Sequence, residues 1–107
     1  LLDTPWPKVI GIKNLLKPLV AGATIQPEAI FNALQNETVA DDTQLPDTGV
    51  GMKRERQLSS IFIKTPGYGT RCSTLLLITY RGEVSFIERT YHPETFAHHD
   101  ASFEFKI

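Results

Sequence analysis

Tyr68-Gly69-Thr70-Arg71-Cys72-Ser73-Thr74 places a phenol, three hydroxyls and a guanidinium within one short stretch of chain. Gly67 and Gly69 let a ligand approach backbone N–H groups, so this combination suits an anion. In that reading Tyr68, Thr70 and Arg71 border a pocket, Ser73 or Thr74 lies beneath it, and Arg71 supplies the fixed positive charge. A structural reading is also open, in which the glycines form a turn and Arg71 pairs with Glu88 across a sheet. The spacing matches neither the P-loop nor the dinucleotide fingerprint, which favours the structural reading. Arg89, on the same strand face as Ile87, can join either arrangement.

Other reactive residues are poorly placed for chemistry. Cys72 lies between Arg71 and the apolar run Leu75-Leu76-Leu77 without a nearby His or Asp, so a buried, inert thiol is expected. His92, His98, His99 and Asp100 make the one metal-like cluster, but adjacent histidines point apart and no i, i+4 pair supports them. A surface linker with no metal is the better reading. Trp6 and Tyr68 suit either an apolar pocket or core packing. Lys53-Arg54-Glu55-Arg56 reads as a solvated loop, too short and too compensated for nucleic acid. No cofactor motif and no catalytic constellation stand in these residues.

The 107 residues suit a single domain with a modest core. Eleven Lys and Arg against twelve Asp and Glu give no pull toward nucleic acid or an anionic membrane. The lone cysteine excludes an intrachain disulfide and fits a reducing, cytoplasmic setting. No apolar run reaches the roughly 18 residues of a membrane span, and the start does not read as a secretory leader. A first residue other than Met suggests a cut.

Helices are expected at about residues 7–20 and 27–36, opened by Pro7 and Pro27. Val9, Ile12 (or Ile10), Leu15, Leu16 and Leu19 give the first an apolar stripe, and Pro18 should kink or stop it near Lys17. Ile30, Phe31 and Leu34 share one face of the second. Residues 37–57 read as a long turn-rich loop. Strands are expected at Leu58–Lys64, Cys72–Tyr80, Glu83–Tyr91 and Phe103–Ile107, with a tight Arg81-Gly82 hairpin. Leu75 to Ile78 offers no polar face, so that strand should be central. The fold class is α+β, an antiparallel sheet with helices. Two short helices cover one sheet face at most, so an apolar patch should remain exposed or be covered by a partner.

Five blocks occur in order: Pro5-Trp6-Pro7-Lys8-Val9, Leu45-Pro46-Asp47-Thr48-Gly49-Val50, Leu58-Ser59-Ser60-Ile61-Phe62-Ile63, Tyr68-Gly69-Thr70-Arg71-Cys72-Ser73-Thr74 and Phe86-Ile87-Glu88-Arg89-Thr90. Together they resemble the C-terminal part of the NRDE family, homologues of transport and Golgi organisation protein 2. The family's Asn-Arg-Asp-Glu motif and its second-position cysteine are absent from these residues. The resemblance implies part of an N-terminal-nucleophile hydrolase-like αββα sandwich. It also implies that the nucleophile lies on a missing N-terminal segment, since Leu1 carries no nucleophilic group. Completion by that segment or by a homo-oligomer partner is expected.

Two functions follow as expectations. One is an amide or thioester hydrolase with its nucleophile upstream. The other is a non-catalytic binding or trafficking protein for lipidic, acyl-linked or haem-like metabolites.

Overall fold

A computed structural model describes residues 3–107, so Leu1 lies outside the described residues. The chain divides into two compact units, one running to Thr65 and the other from Pro66.

The first unit is helical. α1 (Pro7–Val20) and α2 (Pro27–Leu34) each carry Pro in the first turn, where its missing N–H costs nothing. Pro18 does not stop α1, which runs on to Val20; the ring removes one donor within the last turn only. Val9, Ile12, Leu16 and Leu19 are half-buried, and α1 packs against α2. Ile30 and Phe31 of α2 join Phe62 as the unit's buried apolar residues.

Two expectations fail in this unit. The stretch read as a loop holds a 3-10 turn at Asp42–Gln44 and a short α3 (Met52–Gln57). Leu58 to Ile63 forms turns and bends instead of a strand, and only Lys64–Thr65 (β1) is extended. Ser60 Oγ donates to the Phe62 carbonyl at 2.7 Å and Phe62 N–H donates to the Asn36 carbonyl at 2.9 Å. These bonds hold the backbone in a form that a ladder would break.

The second unit opens with Pro66-Gly67 and the two-residue β2 (Tyr68–Gly69). In the second unit, β3 (Cys72–Ile78), β4 (Glu83–Tyr91) and β5 (His98–Lys106) form an antiparallel sheet in that order. The fold class is α+β. β4 is the central strand, and β3 lies at an edge, contrary to the expectation drawn from its apolar run. Alternation splits that run between two faces: Leu75 is buried, whereas Leu76 and Ile78 are exposed. Residues Leu76, Phe86 and Phe103 stand side by side, as do Ile78, Val84 and Phe105. Leu76, Ile78, Phe103 and Phe105 each stay more than half exposed, so the expected apolar patch is present.

The β3–β4 turn closes through Gly82 N–H to the Thr79 carbonyl at 2.9 Å. Gly82 has φ +80°, and a Cβ there would stand 2.8 Å from the Ile107 carbonyl oxygen. Only glycine meets both conditions.

Candidate functional site

The residues with chemical potential fall on β2, the start of β3 and the facing parts of β4 and β5. Tyr68 is 48% exposed on β2. Thr70 is half-buried in the two-residue link to β3, and Ser73 is half-buried on β3. Arg71 is exposed; its carbonyl accepts from Tyr91 N–H at 2.8 Å, which extends the ladder by one position. Alternation therefore sets Arg71 and Ser73 on one face of the sheet.

The expected Arg71–Glu88 pair does not form. The register sets Thr74 opposite Glu88, and the Arg71 side chain makes no hydrogen bond or ion pair among the described residues. Arg89 has the opposite fate. It lies opposite Ser73 on β3 and Asp100 on β5, is only 3% exposed, and donates from Nε and Nη2 to the two Asp100 oxygens at 2.8 and 3.0 Å. The Arg89 guanidinium holds the Asp100 carboxyl below its usual range, with weaker help from His98 and His99. The two arginines, two positions apart in register, thus divide into one committed to structure and one open to solvent.

Cys72 is exposed, not buried, because it starts an edge strand on the face opposite Leu75. His98, His99 and Asp100 belong to β5 rather than to a linker, and no metal-binding group of three or more acids, histidines or cysteines occurs among the described residues. His98 meets the Tyr91 ring edge-on at a centroid distance of 6.1 Å. His92 organises the β4–β5 connection, its Nδ1 accepting from the N–H groups of Glu94 and Thr95. Trp6 is partly exposed at the α1 N-cap.

A second polar centre was not legible in the sequence. Glu55 on α3 is 5% exposed and accepts from Thr48 N–H at 2.7 Å and Thr48 Oγ1 at 2.5 Å. The Thr48 hydroxyl, then its N–H, then the Val50 N–H hold this carboxyl below its usual range against the opposing pull of burial. The clamp fixes Asp47-Thr48-Gly49-Val50. In the sequence Glu55 was hidden inside a mixed charge run, where nothing separates it from a solvated residue. Arg56 adds a two-pronged contact to Asp42, at 2.9 and 2.7 Å.

No described helix is long and apolar enough to cross a membrane. A family model described as Transport and Golgi organisation 2 matches residues 1–93. The human Transport and Golgi organization protein 2 homolog is 30% identical over all of this chain and 42% of its own length. The bovine protein of the same name is 34% identical over 84% of this chain and 36% of its own length. The chain thus spans less than half the length of these curated relatives. With the matching model covering both the Thr48–Glu55 clamp and the Tyr68–Ser73 stretch, the chain belongs to the Transport and Golgi organisation 2 family.

Proposed function

We propose that these residues form part of a larger binding domain that holds an anionic, acyl-linked or lipidic metabolite without transforming it. Tyr68, Thr70 and Arg71 border the ligand, and Ser73 lies beside it. The observation carrying this reading is the exposed Arg71 guanidinium, uncommitted among the described residues and three residues after a half-exposed phenol, Tyr68. A cation at that position can take an anion without first breaking an internal ion pair. The lone cysteine is consistent with a cytoplasmic setting. The exposed apolar face of the three-stranded sheet supports completion by further chain of the same protein or by a second copy.

Dodecyl phosphate and dodecanoate, titrated against the full chain, test the site. Arg71→Ala should weaken binding by about 1–3 kcal/mol, the value of a charge-assisted hydrogen bond, at unchanged melting temperature. A lower melting temperature with unchanged affinity would retire Arg71 as a ligand residue.

A further inference from the structure

The first unit contains a groove that the Tyr68–Ser73 surface does not involve. One wall is the face of α1 carrying Lys8, Gly11, Asn14 and Leu15; the other is the loop around Asn36–Asp41 with Gln44, Ser59 and Ile61. Its volume of about 510 Å³ falls within the range of small-molecule sites, roughly 300–1,000 Å³. We propose that this groove binds a small peptide-like carboxylate: one amide, one carboxylate and a short aliphatic side chain.

Shape and polar groups together carry the proposal. Gly11 sits in mid-helix, where glycine costs about 1 kcal/mol against alanine. A Cβ at Gly11 would meet nothing within 4 Å, so no packing contact explains the glycine; what it does is keep the groove open. The loop wall is held in place before any ligand arrives. Ala40 N–H donates to Ser59 Oγ at 2.9 Å, Thr38 N–H donates to Asn36 Oδ1 at 3.0 Å, and the Asn36 carbonyl accepts from Phe62 N–H. A preset wall lowers the ordering cost of binding.

The polar groups select the ligand. Lys8 Nζ is tethered to the Leu58 carbonyl at 2.9 Å, which fixes an ammonium with further N–H donors beside the groove. That suits a carboxylate. Asn14 and Gln44 have no side-chain partner among the described residues. Each carboxamide presents a donor and an acceptor, the complement of a ligand amide. Asp41 on the same loop disfavours a multiply charged anion such as a phosphate ester. Leu15 and Ile61 offer the apolar surface for an aliphatic side chain.

N-acetyl-leucine is a suitable probe, followed by amide NMR shifts on the full chain. Shifts should centre on Gly11, Asn14, Ala40 and Gln44, and N-acetyl-leucinamide should bind about tenfold or more weakly, as loss of a charge-assisted contact implies. Gly11→Leu fills the groove and should abolish the shifts while leaving the melting temperature equal or higher, since leucine is the better helix former. Lys8→Met should remove the preference for acid over amide. Arg71→Ala should leave these shifts intact, which separates this site from the one proposed above. Absence of shifts up to the solubility limit, shifts confined to Tyr68–Ser73 or the exposed sheet face, or binding that survives Gly11→Leu would each overturn the proposal.

Discussion

The two units hold their polar groups by different means. In the first, loops are fixed by side chains reaching backbone: Glu55 to Thr48, Ser59 to Ala40, Asn36 to Thr38 and Lys8 to Leu58. In the second, a three-stranded ladder does that work, and the chief side-chain contribution is the Arg89–Asp100 pair. A ladder tolerates many sequences, because its bonds are backbone to backbone. The clamped loops depend on single residues. Recognition chemistry in the first unit is therefore set by which side chains are spent on structure, and in the second by which stand off the ladder.

This contrast can be broken by substitution. Phe31→Ala empties the most buried side chain of the helical unit, 1% exposed, and should cost about 3–5 kcal/mol in urea unfolding. Asp100→Ala should cost about 3 kcal/mol by the same measurement. That is the low end for an orphaned buried charge, because the Asp100 side chain is itself 35% exposed. If it costs nothing, the ladder alone holds the second unit. Gly82→Ala forces a Cβ against the Ile107 carbonyl at positive φ and should cost about 1–3 kcal/mol.

The Glu55 clamp predicts a pH effect. Its folded carboxyl titrates below the unfolded value, so its stabilisation is complete above the unfolded carboxylate pKa. It is lost as pH falls through the lowered folded value. Glu55→Gln should therefore flatten the acid limb of melting temperature against pH and lower stability at neutral pH. An unchanged acid limb would show that the clamp does not govern the loop. The smallest effect belongs to Phe103→Lys, on a residue 59% exposed. Stability should move within about 0.5 kcal/mol, while binding of a hydrophobic dye falls.

Much of the fold was legible where local rules act alone. Pro7 and Pro27 marked both helix starts, and Gly82 marked the hairpin. α3 was not legible, since Met52-Lys53-Arg54-Glu55-Arg56-Gln57 has no apolar stripe and its anchor is a buried carboxylate reaching back to Thr48. The Ile61-Phe62-Ile63 run suggested a strand, but the serines before it compete for backbone bonds. At the candidate site, Arg71 and Arg89 were both visible as cations. Their separation into exposed and buried depends on register, which no short-range pattern supplies.

The side-by-side rows on the sheet bear on handling of the protein. Phe86 and Phe103 lie 6.3 Å apart, beside Leu76 on the same face, so the adhesive surface is the flat of the sheet. Of the two edge strands, β5 carries Asp100, Glu104 and Lys106 along its length, whereas β3 carries no charged residue. Charges on a rim discourage strand-by-strand growth of fibrils. Loss of material on concentration should consequently take the form of face-to-face clumping that low detergent reverses, with any strand-by-strand growth confined to the uncharged β3 edge.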